Sequence, residues 1–568
     1  MNIQKSRNKN LESGETKRLI WVSICAVVIS FLLFGNSIWG GYVVDDHVAV
    51  EHRMELRSLG NFFHILFSPW REGLPWAGYR PLVSISYAFN FVFSESTAGL
   101  HIINILLHAL NSILVFYLVA RFASRRAAGI TAVLFLFLPI HVEPVASIVG
   151  RTDLLSTFFI LVSLLLFFDK KYPVSALSFL AALLSKEFSI AILPLVAILL
   201  IVEKSDVKTF FKTWAYYLGA IAMYFAFRYV ALGGYAIKNE SFVDPVIGPL
   251  AFVSAKERIF TSFLHVFIYL KKTFYPINLT PDYYFNQVPA IQNILTSPGA
   301  LLGLLAIVAT VILFIRGNRS VKIVSALFLI PLFLISNIFL VVTGTMAERY
   351  FYLPSVGLLA LLAIGFDKIM MRRTVMIGLY TAGIALLVWF SLLIIEQNKT
   401  WLNEKNLFIH AVAASPNSVW ARENLAVTYL NEGRFEEART QMQGGLSIYD
   451  KYPKLLRDWG RLVWKDGDLI GAETVFKKAI ALDSRGTSSR GLYRLLAFVY
   501  LDKGENEHAF EAITKALTYP AFGDTETSDR VDQESYEGIR SLRDIDPKSY
   551  SEIDRKALQQ RIIWTRGF

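Results

Sequence analysis

Eleven nearly uncharged apolar runs limit what this chain can fold into more than any other feature. Many of them approach the ~20 residues that an α-helix needs to cross a bilayer. Charged residues make up only 18% of the chain, against about 25% in soluble globular domains. A soluble enzyme, a disulfide scaffold (the single cysteine is Cys25) and a disordered tail are excluded. The sequence predicts an all-α, polytopic membrane helix bundle whose crossings are 19–39, 100–120, 127–140, 153–168, 173–185, 188–202, 213–232, 299–315, 323–343, 351–366 and 374–395.

Basic residues in the short loops give the predicted orientation. Six basic segments fall on one side of the eleven crossings, and by the positive-inside rule that side is cytoplasmic. We therefore interpret the net charge of +11 as a topology signal and not as a nucleic-acid site. Two long loops, 40–99 and 233–298, and the C-terminal domain fall on the outer side. The six basic segments are 1–18, 121–126, 169–172, 203–212, 316–322 and 367–373.

Three apolar segments need separate treatment. Residues 259–276 could span a bilayer but carry His265, Lys271 and Lys272, and a crossing there would move the later basic loops outside. We predict that this segment is interfacial or re-entrant at the outer face. Residues 81–93 are predicted to lie along the membrane surface. The first run is too long for a signal-peptide core and is predicted to remain as an anchor.

The composition changes near residue 397, which divides a membrane domain, 19–397, from a charged C-terminal domain, 398–568. The C-terminal domain repeats with a period of about 34 residues, the length of the helix pair in a tetratricopeptide repeat. Such a solenoid presents a concave face suited to a peptide or a protein partner; the alternative is that it only packs on the membrane domain. Equivalent positions are Leu425, Ala426, Tyr429, Gly433, Ala438 and Met442, then Trp459, Gly460, Val463, Gly467, Ala472 and Phe476, then Leu496, Ala497, Tyr500, Gly504, Ala509 and Ile513.

Few cations lie in the short outer loops, and those few stand beside acids. Charges at the edge of an apolar bundle are costly unless they are paired or functional. Either the pairs brace the helices, or they form a shared polar site. Because the apolar run 173–185 is short, Lys186 and Glu187 are predicted to be drawn below the membrane surface, where Lys186 is a candidate partner for a lipid phosphate. The three neighbouring pairs are Arg151 with Asp153, Lys186 with Glu187, and Arg349 with Glu348.

Other candidates lie in the first outer loop and at the helix ends that follow it. Asp45 and Asp46 come directly after the first apolar run; one of them is a candidate general base or metal ligand, and the alternative is a solvated or capping acidic pair. Arg80 could bind phosphate bidentately or extend to the headgroups. His141 and Glu143 end a helix at the outer surface. The chain has no P-loop, no dinucleotide-binding glycine pattern and no Gly-x-Ser-x-Gly.

These pieces occur in an order that resembles the transmembrane and tetratricopeptide repeat-containing O-mannosyltransferases and, more widely, the GT-C glycosyltransferases. The likeness covers nearly the whole chain, although the repeats number only about three and the animal members usually have more. The motifs are Val44-Asp45-Asp46, Tyr79-Arg80-Pro81-Leu82, the run from His101 to Ala109, Pro139-Ile140-His141-Val142-Glu143, Val149-Gly150-Arg151-Thr152-Asp153, Ser185-Lys186-Glu187 and Ala347-Glu348-Arg349-Tyr350.

The resemblance implies a polyprenyl-phosphate sugar donor, mannose-like, and an outward-facing site. Asp45 or Asp46 would be the catalytic carboxylate, and Arg80, Arg151, Lys186 and Arg349 would bind the donor phosphate. A divalent Mg²⁺ or Mn²⁺ ion on the carboxylates stays open, as does the acceptor, which is a protein, a glycan or a lipid. The expected location is a bacterial inner membrane with the repeats outside the cytoplasm, or the endoplasmic reticulum membrane in a eukaryote. Supporting residues are His141, Glu143, Asp153, Glu187 and Glu348.

Two rival functions remain. A non-enzymatic scaffold would use the repeats alone to gather partners. A transporter or flippase of a lipid-linked glycan would place polar residues through the depth of the bilayer, whereas here they are concentrated at one face.

Overall fold

The computed structural model describes residues 20–71, 78–233, 244–339, 341, 344–369, 373–483, 486–519, 532–537 and 539–540. Within these residues every regular element is a helix, which confirms the all-α class. The basic N-terminal segment 1–18 lies outside the described residues. Numbered in chain order, the helices of eight or more residues are α1 Ile20–Trp39, α2 Pro81–Phe93, α3 Thr97–Val119, α4 Arg125–Leu136, α5 Arg151–Phe168, α6 Tyr172–Leu183, α7 Ile192–Val202, α8 Val207–Ala231, α9 Ala255–Phe274, α10 Pro298–Arg316, α11 Arg319–Leu334, α12 Tyr352–Ile369, α13 Arg373–Asn398, α14 Glu404–Ala414, α15 Val419–Asn431, α16 Phe435–Ile448, α17 Pro453–Lys465, α18 Leu469–Leu482, α19 Ser489–Lys503 and α20 Asn506–Leu517.

Each predicted crossing overlaps a helix, although the run 323–343 extends beyond the helix that ends at Leu334, and the count of eleven is not confirmed. Among the described residues, six helices are long and apolar enough to span a bilayer, and a seventh span forms if α4 and the bent segment Pro139–Ala146 are taken together. Helices α6 and α11 have 12 and 16 residues. At 1.5 Å per residue they rise only about 18–24 Å, short of the ~30 Å hydrocarbon core. The six spans are Ile20–Trp39, Thr97–Val119, Arg151–Phe168, Pro298–Arg316, Glu348–Ile369 and Met376–Trp401.

Small residues let the membrane helices approach closely. A Cβ at Gly357 in α12 would lie 2.3 Å from the backbone nitrogen of Phe328 in α11. A Cβ at Gly303 in α10 would lie 1.9 Å from the carbonyl oxygen of Phe263 in α9. Helices that pack in or at a bilayer gain van der Waals contact from such close approach, because lipid removes the hydrophobic drive between them. These two glycines therefore fix the α11–α12 and α9–α10 pairs.

The basic loops that were predicted to share one side contact one another. Loop 121–126 bonds to 169–172, 316–322 and 367–373, and loop 316–322 also bonds to 203–212. One end of the bundle therefore carries all five basic loops that the structure describes. The contacts are Arg121 to Asp169 (2.7 Å), Arg126 to Asp367 (3.4 Å), Arg319 to Glu203 (2.8 Å) and the Ser320 hydroxyl to the Phe122 carbonyl.

The position of the basic loops at one end limits whether the segment 259–276 can cross the membrane. An even number of crossings must separate 203–212 from 316–322, because these two loops lie together. The predicted crossings α8 and α10 supply two, so α9 would add none. The middle of α9 instead packs on the first turns of α10, where Gly299 approaches Leu264 and Phe267. That arrangement agrees with the predicted position at the outer face, which remains a prediction.

The opposite end joins both long loops to the C-terminal helices. In the first loop, the backbone nitrogen of Gly41 donates a 2.9 Å hydrogen bond to the Leu402 carbonyl. From the second loop, the Leu279 carbonyl lies 2.7 Å from Nε2 of His410. The rings of Tyr284 and Trp420 pack edge to face with their centroids 5.1 Å apart. The C-terminal domain therefore lies on the same side as 40–99 and 233–298.

The C-terminal domain is the predicted repeat solenoid. Helices α15 and α16, α17 and α18, and α19 and α20 form three consecutive pairs. Gly433, Gly467 and Gly504 stand at equivalent turns with φ of +74°, +88° and +78°, a conformation that favours glycine. A Cβ at Gly460 would lie 2.5 Å from the Phe476 ring, which shows how closely the paired helices approach.

Candidate functional site: an outer charged cluster beside an apolar cleft

Asp46 is completely buried and holds the first outer loop in place. Its carboxylate accepts hydrogen bonds from the backbone nitrogens of Val43 (3.1 Å) and Val149 (2.8 Å). Burial raises the pKa of Asp46 to about 7, although both of these N–H groups lower it. The side chain therefore joins the turn after α1 to the turn before α5.

Asp45 faces the other way and is 42% exposed. Its Oδ2 accepts a hydrogen bond of 2.6 Å from Nη2 of Arg71. The structure thus separates the two adjacent acids, as alternation along the backbone allows. Asp45 is the member of the pair that a substrate could reach.

Neither Lys186 nor Arg349 forms its ion pair with the acid beside it in the sequence, and Arg80 pairs with an acid far along the chain. Lys186 bonds to Asp153 at 2.6 Å, and both side chains are buried. Arg80 grips Glu187 with two hydrogen bonds of 3.0 and 2.7 Å. Arg349 bonds to Glu143 through its guanidinium group and, at 2.9 Å, through its backbone nitrogen. Each pair therefore joins segments that are distant in the chain.

The three cations act on one another electrostatically. Burial lowers the pKa of Lys186, the charges of Arg80 and Arg349 lower it further, and Asp153 raises it. Burial raises the pKa of Glu187, but the Arg80 guanidinium outweighs burial and holds it at about 2. Arg80, Lys186 and Arg349 thus form one charged cluster with three acids.

A cleft with a mostly apolar wall opens beside this cluster, and its cavity volume is about 40 Å³. The Lys186–Asp153 pair stands on its wall, and Nζ of Lys186 lies 5.2 Å from the ring centroid of Tyr350. Most of the remaining wall is aliphatic or aromatic. It includes Ile160, Phe188, Pro331, Leu334, Ile335, Leu353 and Pro354. The cleft therefore combines an apolar wall with one cationic position.

Tyr284 connects Asp45 to the charged cluster. Burial raises the pKa of Tyr284; the charge of Arg349 lowers it, and that of Asp45 raises it. The hydroxyls of Tyr284 and Tyr350 both lie near Gly344. A Cβ atom placed on this glycine would be 3.9 Å from the Tyr284 hydroxyl and 3.8 Å from the Tyr350 hydroxyl. The Asp45 carboxylate and the Arg349 guanidinium are thus both within electrostatic reach of one tyrosine.

Arg151 does not join this cluster. Its guanidinium is fully buried and donates to the side chains of Asn104 (2.9 Å), Asn90 (3.2 Å) and Ser86 (3.4 Å), and to the carbonyls of Ser86 (3.3 Å) and Leu100 (2.7 Å). These five bonds engage all three guanidinium nitrogens. We therefore do not retain Arg151 as a phosphate ligand: it ties α2 and α3 to α5.

Two of the predicted supporting residues serve the bundle instead of the cleft. His141 is buried and bonds to the Phe135 carbonyl (2.9 Å) and the Ser355 hydroxyl (3.0 Å). Glu348 is buried and accepts from the backbone nitrogen of Thr280 (2.8 Å) and the Tyr283 hydroxyl (2.6 Å). Glu143, Asp153 and Glu187 do lie in the charged cluster.

The sequence analysis did not single out Arg71 or Tyr284. Arg71 lies in an irregular loop, where no periodic pattern connects it to Asp45. Tyr284 lies in the second long loop, and only its position among aromatic residues could have drawn notice. Tyr350 was present in the quoted motif Ala347-Glu348-Arg349-Tyr350, but no role was assigned to it.

Asp45 and Asp46 do not form a joint carboxylate site for a Mg²⁺ or Mn²⁺ ion. Mg²⁺ is held by one or two carboxylates together with waters or phosphates, but here Asp46 gives its oxygens to two backbone N–H groups and Asp45 is bonded to Arg71. Among the described residues, the group whose ligand atoms do converge is His47, Glu51 and His52.

Comparison with known proteins agrees with this architecture. A tetratricopeptide repeat profile matches residues 407–440. The chain is 25% identical over 492 residues to human protein O-mannosyl-transferase TMTC1, covering 76% of this chain and 56% of the relative. It is 25% identical to human protein O-mannosyl-transferase TMTC3, covering 71% and 49%, and 24% identical to mouse protein O-mannosyl-transferase TMTC4, covering 73% and 64%.

The chain is thus an integral membrane protein with tetratricopeptide repeats. More particularly, it is similar over most of its length to the repeat-containing protein O-mannosyl-transferases, which confirms the resemblance found in the motifs. It spans about half to two thirds of the length of these relatives. Among solved structures, the Cut9–Hcn1 hetero-tetramer of the APC/C aligns with 85% of this chain and 93% of its own at 12% identity, with a TM-score of 0.22, too low to indicate a shared fold.

Proposed function

We propose that this protein is a membrane glycosyltransferase. It transfers a monosaccharide from a polyprenyl-phosphate donor to an acceptor hydroxyl on the side of the repeat domain. The observation that carries the proposal is the apolar cleft with Lys186 on its wall and two further cations, Arg80 and Arg349, within electrostatic reach. A lipid phosphate needs both an apolar surface for its chain and fixed positive charge for its headgroup.

In this proposal the donor lies with its isoprenoid chain along the apolar wall and its phosphate at Lys186. Arg80 and Arg349 retain partly exposed side chains on which further phosphate oxygens can bind. Negative charge grows on the phosphate as the sugar leaves. Fixed cations in a water-poor site stabilise that charge without reorganising. The paired acids hold the cations in position while the cleft is empty.

Asp45 is the proposed general base. The acceptor hydroxyl oxygen attacks the anomeric carbon, its proton passes to Asp45, and the bond from the anomeric carbon to the phosphate oxygen breaks. Base catalysis of this kind contributes ~10²–10⁴-fold to a rate. Asp46 is a positioning residue because both of its hydrogen bonds are made to the loop backbone.

The sugar and acceptor follow from the relatives named above. Those proteins are called protein O-mannosyl-transferases, so we propose mannose as the sugar and a protein hydroxyl as the acceptor. The repeats adjoin both outer loops, and a polypeptide held on their concave face would be near the charged cluster.

The test uses the purified chain in detergent with labelled polyprenyl-phosphate mannose. Donor affinity is measured directly, and transfer of label is measured with an extract that supplies acceptors. Asp45→Asn is expected to lower the transfer rate by ~10²–10⁴-fold and to leave donor affinity unchanged. If the Asp45→Asn variant transferred the sugar at the wild-type rate, Asp45 could not be the general base.

The phosphate position needs a matched control, because Lys186→Met alone would leave Asp153 buried and unpaired, which costs about 3–5 kcal/mol. The double variant Asp153→Asn with Lys186→Met removes both charges and is expected to weaken donor binding by about 10–100-fold, the loss of a charged hydrogen bond. Asp153→Asn alone keeps the Lys186 charge and an amide oxygen that can accept its hydrogen bond, so donor binding should be retained. Equal affinity in both would contradict the proposal. A scaffold would neither bind nor transfer, and a transporter would bind without transferring label.

A further inference from the structure

A histidine–glutamate cluster lies just beyond Asp46, in the first outer loop. His47, Glu51 and His52 each offer one ligand atom, and these atoms lie within 4.8 Å of one another. Glu51 stands at the centre: its Oε2 bonds to Nδ1 of His47 and lies 3.7 Å from Nε2 of His52. Outside this loop, the described residues contain no comparable group of three.

The backbone is wound to bring these side chains together. Residues His47–Glu51 form a π-helix, closed by a 2.9 Å bond from the His52 nitrogen to the His47 carbonyl. In an α-helix of about 3.6 residues per turn, residues five apart lie about 140° apart around the axis. The wider π turn returns the fifth residue to the same face, and such turns are frequent at functional sites. His52 shares a face with His47 only because of this winding.

A second carboxylate orients the His47 ring from the other side. Nε2 of His47 lies 3.3 Å from Oε1 of Glu404, at the start of α14. The same oxygen accepts a hydrogen bond from the backbone nitrogen of Val44 at 3.2 Å. Histidines that bind metals usually donate their other ring N–H to a carboxylate, which fixes the tautomer and leaves the ligating nitrogen free. Glu404 has that position relative to His47, and a metal ion at Nδ1 would replace the hydrogen that this nitrogen now shares with Glu51.

We propose that His47, Glu51 and His52 bind one divalent transition-metal ion, with Zn²⁺ preferred over Mg²⁺. Two imidazole nitrogens and one carboxylate oxygen form a ligand set that suits Zn²⁺, whereas Mg²⁺ requires oxygen ligands. The cluster opens to solvent, since the His52 side chain is 63% exposed, so water completes the coordination. Through His47 and Glu404 the ion fixes the first outer loop to the repeat domain. This site does not depend on the proposed transferase activity.

The experiment measures metal binding to the full chain, purified through a tag without histidine and stripped with a chelator. The expected result is one equivalent of Zn²⁺ that excess Mg²⁺ does not displace, and a Co²⁺ complex with visible absorption bands. His52→Ala, at an exposed position, is expected to weaken Zn²⁺ binding by at least about 100-fold. Glu404→Gln should weaken it by ~10–100-fold, as is typical for an outer partner of a ligand.

The matched control is His508→Ala. His508 also pairs with a glutamate, Glu505 at 3.0 Å, and is 61% exposed, but no third ligand is present beside it in the described structure. Zn²⁺ binding is expected to be unchanged in this variant. The proposal is overturned if the wild-type chain binds no Zn²⁺, if Mg²⁺ displaces it, or if His52→Ala and Glu51→Gln both bind as tightly as the wild type.

Discussion

At the scale of single residues, identical side chains have different roles because their surroundings differ. Asp45 and Asp46 are adjacent, yet one is open to solvent beside Arg71 and the other is buried among backbone N–H groups. Replacing Asp46 by Asn would leave one of those N–H groups without an acceptor, a loss of about 1–3 kcal/mol. The sequence offered no means of assigning these two roles, because both depend on residues that lie far away in the chain.

Asp282 shows the same influence of burial at the contact between the second outer loop and the repeats. Burial raises the pKa of its carboxyl to about 6 from a usual value of 3.8, although the bond from the Tyr284 backbone nitrogen lowers it. The folded chain therefore binds more protons than the unfolded chain between these two values. The contribution of Asp282 to the free energy of unfolding is fully present below pH 3.8 and is lost as the pH rises through 6. The loss is about 3 kcal/mol, because one pKa unit corresponds to 1.36 kcal/mol.

Asp282→Asn is expected to remove this loss, since the amide oxygen can still accept from Tyr284. Its melting temperature in detergent should exceed that of the wild type at pH 7.5, and the difference should shrink toward pH 4. Glu436→Gln is the control, because the Glu436 side chain is 82% exposed. A wild-type melting profile for Asp282→Asn across this range would contradict the assigned pKa.

At the scale of elements, the helices could be predicted from the sequence, but their partners could not. Apolar runs locate helices because each run must satisfy its own backbone in lipid, and the 34-residue period located the repeat turns at Gly433, Gly467 and Gly504. The ion pairs were different: the acid that neutralises Lys186 comes from another helix and not from the next residue. The π turn at His47 also has no signature in composition. Side-chain pairing across helices requires the packing itself.

Packing between α11 and α12 gives the prediction at this scale. Gly357→Ala places a Cβ 2.3 Å from the backbone nitrogen of Phe328, which cannot rotate away. The helices must separate, and we expect a loss of about 1–3 kcal/mol, as for other overpacked sites. Gly365→Ala, in the same helix with no atom within 4 Å, should be neutral or stabilising by up to about 1 kcal/mol. Thermal unfolding of both variants in one detergent measures the difference; equal midpoints would refute this packing.

At the scale of the whole molecule, the two ends of the bundle are chemically distinct. Five basic loops meet at one end, whereas the repeats, both long loops and the charged cluster lie at the other. Loop charge alone implied that the basic loops share one end, because the positive-inside rule sorts loops by side. The contacts between the repeats and the outer loops were not, since an independent solenoid on a flexible tether would have had the same sequence pattern.

Cysteine labelling tests which end faces the cytoplasm. The chain has one cysteine, so a Cys25→Ser background leaves each introduced thiol alone. Glu436→Cys reports on the exposed repeat surface and Lys171→Cys on a basic loop. In right-side-out vesicles, a membrane-impermeant maleimide should label Glu436→Cys at once and Lys171→Cys only after the bilayer is opened with detergent. In inverted vesicles the order should reverse. Labelling of both thiols from the same side would require an even number of crossings between them, and would contradict the separation of the two ends that the proposed donor cleft requires.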